Sequence, residues 1–194
     1  MTNFKTKHGF NDDEVFSALQ KQIRRGIEDD ALYFALEICD NGQNKNGFYK
    51  LRNKLLMIAY EDIGLGNPDV VLQVSLALRD MERMYKSEND GWKLILAHTI
   101  LILSRTEKSK ISDHFQKYVE YIWEKKTPEE MEVEIPDYAL DINTSKGNKM
   151  GRKKGSLKGL EHFIEFSEKL ENENPDVNNI YKKEVYKILK EEKK

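Results

Sequence analysis

The stretch Leu55-Leu56-Met57-Ile58-Ala59-Tyr60-Glu61-Asp62-Ile63-Gly64-Leu65-Gly66-Asn67-Pro68 constrains the fold more than any other part of the chain. An apolar run ends in two adjacent acids, two glycines interrupt it, and Asn-Pro starts afresh. Asn supplies an N-cap, and Pro suits the first helical position, where a missing N–H leaves nothing unpaired. The reading is helix, sharp corner, helix, with Glu61, Asp62, Gly64 and Pro68 forming a structural corner. Adjacent acids on a helix point about 100° apart. Glu61 and Asp62 are therefore not expected to converge on one ion. One of them is expected instead to satisfy backbone N–H groups at 64–67, since buried backbone must find partners.

Helical signals continue on both sides of this corner, and strand signals are weak. Asn11-Asp12-Asp13-Glu14 offers a capping Asn and acids for a first turn. Val15, Leu19 and Ile23 recur every four residues with Phe16 beside them, and Arg24-Arg25-Gly26 supplies basic residues and a glycine stop. A second helix is expected over 28–41 with Leu32, Ala35, Leu36 and Cys39 inward, then a polar loop over 41–47 and a third helix over 48–60. The helix opened by Asn67-Pro68 carries Val71, Val74, Leu78 and Met81. After a connector at 87–91, residues 92–103 are apolar nearly all round and read as a buried central helix. Residues 111–123 place Ile111, Phe115, Tyr118, Val119 and Ile122 on one side of a sixth helix.

Beyond this the character changes. Residues 128–136 are acidic and read as an extended connector. Residues 141–159 are glycine-rich and basic. Two further helices are expected: 160–171, with Phe163, Phe166 and Leu170 inward, and another from Asn174-Pro175 to the charged tail at 191–194. There is no internal repeat.

Composition narrows the function. Hydrophobic residues make up 39% and charged residues 34% of 194, enough for a core under a heavily charged surface. With 32 Lys and Arg against 34 Asp and Glu, the net charge of −2 excludes a globally basic nucleic-acid coat and leaves room for a local basic patch. The single cysteine, Cys39, forms no internal disulfide and reads as a small core residue. No hydrophobic leader opens the sequence, and the apolar stretch 94–103 is too short for a bilayer. A cytoplasmic protein with no membrane partner is expected.

The basic patch lies between Asp141 and Glu161, where Lys146, Lys149, Arg152, Lys153, Lys154 and Lys158 are uninterrupted by acids. Glycines fall at 147, 151, 155 and 159. Such a segment can turn backbone N–H groups toward an anion and neutralise phosphates with its side chains, without reading sequence. It can equally be a solvated loop, or dock onto acidic surface of a neighbouring subunit. It does not match the nucleotide phosphate loop, which needs two glycines with four residues between them followed by Lys-Ser/Thr. The histidines His8, His98, His114 and His162 form no zinc-spaced pair, and His98 reads as a hydrogen-bonded core residue. No metal site, cofactor site or catalytic residue is expected. A hydrolytic alternative would use Glu61, Asp62, His162 and Glu165, the last two sharing a helix face.

Several of these landmarks together resemble a known family. They are Ser17-Ala18-Leu19-Gln20-Lys21 with Arg24-Arg25, Ala31-Leu32-Tyr33, Glu61-Asp62-Ile63-Gly64-Leu65 with Pro68, and residues 97–110 including Ser104, Lys108 and Ser109. Over about 12–126 the chain is similar to the C-terminal helical region of the MgsA/RarA-type replication-associated recombination AAA+ ATPases, whose eukaryotic relative is the Werner-helicase-interacting protein. That region is similar to the oligomerising collar of clamp loaders. The second pattern, Asp137-Tyr138-Ala139-Leu140-Asp141, Thr144, Lys146-Gly147, Met150-Gly151-Arg152 and Glu161-His162-Phe163, resembles small stand-alone relatives without the ATPase half.

The resemblance implies an all-α fold of about eight helices, with a collar-like domain over 1–127 and the connector, basic segment and last helices over 128–194. It implies a homo-oligomer, tetramer or dimer, connected with DNA replication, recombination or repair. Expected partners are DNA, an ATPase or helicase, and single-stranded-DNA-binding protein. The leading expectation is a non-catalytic oligomerisation and interaction module. The alternatives are an accessory subunit of a separate ATPase and a small metal-dependent nucleic-acid-processing enzyme.

Overall fold

The computed structural model describes residues 5–175 and 179–191, and these residues build helices without a strand. The chain divides into two compact units, Met1–Lys125 and Lys126–Lys194.

In the first unit, α1 (Asp12–Arg25) begins with three acids and ends with two arginines, as the helix dipole favours. Gly26 stops it in the left-handed region at φ 72°. The Asn11 side chain makes no cap bond, so the helix start rests on its acids and backbone. α2 (Glu28–Cys39) is shorter than its sequence pattern suggests, because Asp40 and Asn41 both turn left-handed and the chain tightens into a 3₁₀ turn, Asp40–Gly42. Its buried face is Ala31, Ala35, Ile38 and Cys39, whereas Leu32 and Leu36 are half-buried. Small residues on that face let α2 sit close against α1, α3 and α5. α3 (Lys45–Ile58) starts inside the expected polar loop, where the Asn44 side chain accepts the Gly47 N–H at 2.9 Å.

α3 then widens into a π turn, Ala59–Ile63, and a 3₁₀ turn, Gly64–Gly66, before α4 (Pro68–Lys86) opens with the Asn67 side chain accepting the Val70 N–H. α4 buries Val70, Val71, Val74, Leu78 and Met81 and packs along α5 (Gly91–Arg105). α5 is not buried all round. Trp92, Leu96, Thr99, Ile100 and Leu103 face inward, but Leu94 and His98 are exposed, which corrects the core assignment of His98. The core centres on Phe48, which stacks on Tyr85 at 3.7 Å between ring centroids and meets the edge of Trp92 at 5.5 Å. α6 (Ile111–Lys125) differs from its neighbours, because Asp113 is its only buried residue.

In the second unit, the acidic connector is not fully extended. Thr127 N–H donates to Glu130 Oε2 at 2.8 Å and Glu130 N–H donates to Thr127 Oγ1 at 3.3 Å, closing a turn in the manner of a capping box. After a 3₁₀ turn, Asp137–Ala139, come α7 (Ser145–Lys149) and α8 (Leu157–His162), each capped by a hydroxyl: Thr144 Oγ1 accepts from Gly147 N and Ser156 Oγ from Gly159 N. α8 passes into a π turn, Phe163–Ser167, so the helix expected over 160–171 ends early. It buries Leu160 and His162, while Phe166 and Leu170 are exposed. α9 (Ile180–Glu191) begins beyond Asn174-Pro175, and the tail at 192–194 lies outside the described residues.

Candidate functional site

Two constellations carry charge worth examining, one in each unit. The first gathers at the corner. Arg24, near the end of α1, spreads its guanidinium across both acids: Nε donates to Asp62 Oδ1 at 2.8 Å and Nη2 to Glu61 Oε1 at 2.7 Å. Gln20, one turn earlier, donates from Nε2 to Glu61 Oε2 and to Asp62 Oδ2, each at 2.9 Å. Lys54 of α3 closes the back of the cluster by donating to Gln20 Oε1 at 2.7 Å.

The two acids therefore do converge, contrary to the 100° argument. A forked side chain from the facing helix reaches both, and the π turn breaks the regular helical spacing. Nor do the carboxylates cap backbone at 64–67, since they bind side chains. Backbone contact runs the other way, with Ser109 N–H donating to the Asp62 carbonyl at 2.9 Å.

The cluster extends to the base of α6. Lys110 Nζ bridges Glu61 Oε1 at 3.2 Å and Asp113 Oδ2 at 2.9 Å, and Lys117 binds Asp113 Oδ1 at 2.6 Å. Lys117 and Lys110, hydrogen-bonded to it, hold the Asp113 carboxyl down at about 2. Burial pushes the Glu61 carboxyl up, but hydrogen bonds from Gln20 and Lys110 and the charges of Lys110 and Arg24 outweigh it, leaving Glu61 below its ordinary value. Burial lowers Lys54, with the charges of Arg24 and Lys21 adding to it against Glu61 and Asp62.

The glycines explain why segment 107–112 can come so close. A Cβ on Gly66 would stand 3.0 Å from the backbone of Lys108 and Ser109, and one on Gly64, whose φ is +46°, would stand 3.3 Å from Ser112 Oγ. The corner is thus a clasp, with glycines admitting segment 107–112 and charges fixing it. All four carboxylate oxygens of Glu61 and Asp62 are engaged by side-chain donors. Among the described residues no three His, Cys, Asp or Glu side chains are grouped as a metal ion would need.

The second constellation is the basic segment, and it is not one flexible loop. Arg152 is turned inward with its side chain 11% exposed. Its Nη2 donates to both Asp137 oxygens at 2.9 and 2.8 Å, and its Nη1 donates to the carbonyls of Asp137 and Leu140 at 3.1 and 2.9 Å. His162 Nε2 meets Asp137 Oδ2 at 3.2 Å, and its Nδ1 lies 3.4 Å from Ser167 Oγ. That hydroxyl donates to the Tyr138 carbonyl at 2.8 Å, which leaves it poorly placed as a nucleophile. Hydrogen bonds from Arg152 and then His162 hold the Asp137 carboxyl below its ordinary value. Glu165 is exposed on the π turn and takes no part.

Lys158 donates to the Met150 carbonyl at 2.9 Å. Several backbone N–H groups of the segment are also spent internally, including Gly147 on Thr144 Oγ1, Arg152 on the Gly147 carbonyl and Gly159 on Ser156 Oγ. The anion-facing glycine N–H groups expected from sequence are absent at Gly147 and Gly159. What remains outward is the side chains of Lys146, Lys149, Lys153 and Lys154, exposed and with ammonium groups that make no hydrogen bond or ion pair among the described residues.

Gln20, Lys54, Lys110 and Asp113 escaped the chemical reading of the sequence. Gln20, Arg24 and Lys110 stood among the family landmarks, which was the one signal pointing to them. Nothing in local spacing could join Asp137 to Arg152 and His162.

The comparisons agree with the family resemblance. The family described as "MgsA AAA+ ATPase C terminal" matches residues 27–191. "Replication-associated recombination protein A" from Bacillus subtilis (strain 168) is 32% identical over 96 residues, which are 50% of this chain and 21% of that protein. The chain spans about a fifth of the length of that relative.

Proposed function

The chain belongs to the MgsA AAA+ ATPase C-terminal family, and from that premise we propose that it is a non-catalytic self-assembly and interaction module serving DNA replication or recombination. Its nucleic-acid contact is made by Lys146, Lys149, Lys153 and Lys154. One observation carries that contact: four ammonium groups stand free on a frame whose arginine is locked inside. Lysines held this way neutralise backbone phosphate as point charges and do not distinguish bases. The corner of Glu61, Asp62, Gly64 and Pro68 serves as scaffold.

Replacing the four lysines with Ala tests the contact. Binding of a labelled single strand should weaken, and the slope of log affinity against log salt should flatten by about 3. An unchanged slope sinks the lysine assignment. A second reading, an accessory subunit of a separate ATPase, is supported by the match to a family described as the C-terminal part of an AAA+ ATPase. Co-purification with an ATPase would favour it over the first, whereas self-assembly alone would not. No helix among the described residues is long and apolar enough to cross a membrane.

A further inference from the structure

α6 has the pattern of a core helix without a core. Ile111, Phe115, Tyr118, Val119 and Ile122 fall within about 100° of arc on a regular helix, with Trp123 at the edge. Asp113, Lys117, Glu120 and Glu124 take the opposite side. Apolar residues at the same spacing on α4 (Val70, Val71, Val74, Leu78 and Met81) are buried, yet on α6 Ile111, Phe115, Tyr118, Val119 and Trp123 are between 42% and 77% exposed and Ile122 is half-buried. A helix of this length is marginal in water unless a face is covered.

The clasp gives α6 a fixed base. Lys110 and Asp113 tie its first turn to Glu61, and its main contacts in the first unit run to the 59–66 corner. The rest of the helix stands clear of that corner. Its polar side is already satisfied, by Asp113 with Lys117 and by Gln116 donating to Glu120 at 3.0 Å. The apolar face carries no charge with which to select a partner of opposite sign, and none to receive phosphate.

We propose that this face pairs with the same face of a second copy of the chain. The area supports that occupant. Three aromatic and three aliphatic side chains at these exposures offer roughly 600 Å² per copy, near the ~800 Å² per partner of a standard interface before any polar rim is counted. A patch of this size is at the upper end for a monomer. An uncharged apolar face suits an isologous contact, in which each aromatic finds the apolar surface it also presents. The proposal rests on the self-assembly reading and assigns its surface.

The test is mass against concentration for the full chain and for Phe115→Glu/Tyr118→Glu, with far-UV circular dichroism to check the fold. Expected is a wild-type oligomer and a double variant whose dissociation constant rises at least about 100-fold, two anchors being lost. A second readout needs no variant. Trp123 is exposed and Trp92 buried, so emission should shift to the blue as wild-type mass rises. If mass rises without that shift, or the folded variant assembles as tightly as wild type, the chain self-assembles through another surface and the α6 assignment is overturned alone. A wild-type monomer at every concentration overturns the α6 assignment and the self-assembly reading together.

Discussion

The two units are held together by opposite means. In the first, α1 to α5 enclose a continuous apolar core around Phe48, and its charged corner decorates that core. In the second, Leu140 and Leu160 are the only buried apolar side chains among the described residues, and the order comes from one guanidinium, one histidine and three hydroxyls. Apolar burial is non-directional and scales with the volume buried, whereas a polar frame depends on particular atoms. The first unit should therefore lose stability with the size of the apolar group removed, and the second with the loss of particular donors and acceptors.

The largest expected effect is on the apolar side. Phe48→Ala removes a fully buried ring that stacks on Tyr85 and should cost about 3–5 kcal/mol of the first unit's stability, read by denaturant unfolding. The comparison breaks if the loss is under about 1 kcal/mol.

Arg152→Ala should come next. It strips Asp137 and two backbone carbonyls of their donor, a smaller loss than that of a fully buried ring because Asp137 is largely exposed and water replaces part of the contact. Hydrogen exchange should quicken in 137–167 and stay unchanged in α1 to α5. Equal protection in both units would show that Arg152 does not organise the second.

The smallest effect is the response to acid, which touches the clasp. Glu61 and Asp113 both have lowered folded values, Asp113 at about 2 against an ordinary 3.8 and Glu61 below 4.5. A carboxylate lowered by folding contributes stability that is present above its unfolded value and lost as pH falls through its folded one. Melting temperature should be level from pH 7 to about 5 and decline between about 4.5 and 2. Asp113→Asn should flatten that decline, and an identical acid profile in the variant would remove Asp113 from the clasp.

How much of this was legible depended on where the partners lie. Gly26 and Asn67-Pro68 marked real helix boundaries because capping is local. The stripe of α4 gave its buried face directly. The same periodicity in α6 identified an apolar face but not what covers it, and on α5 it overstated burial at Leu94 and His98. Periodicity reports amphipathicity, and burial needs a neighbour. Glu61 and Asp62 were recognised as a corner, but their true partners lie 37 to 49 residues away in sequence. The run of six basic residues looked uniform, and only the fold separated Arg152 from the four free lysines. Its partner Asp137 sits 15 residues upstream, in a stretch whose pattern gives no hint of contact.

The most direct measurement is light scattering of the full chain at low and moderate salt, with and without a labelled single strand. An apolar α6 interface and a lysine contact respond to salt in opposite ways, since screening weakens only the second. The expected result is an oligomer whose mass survives added salt while its DNA complex falls away. A monomer indifferent to DNA, or an oligomer that dissolves as salt is raised, contradicts it.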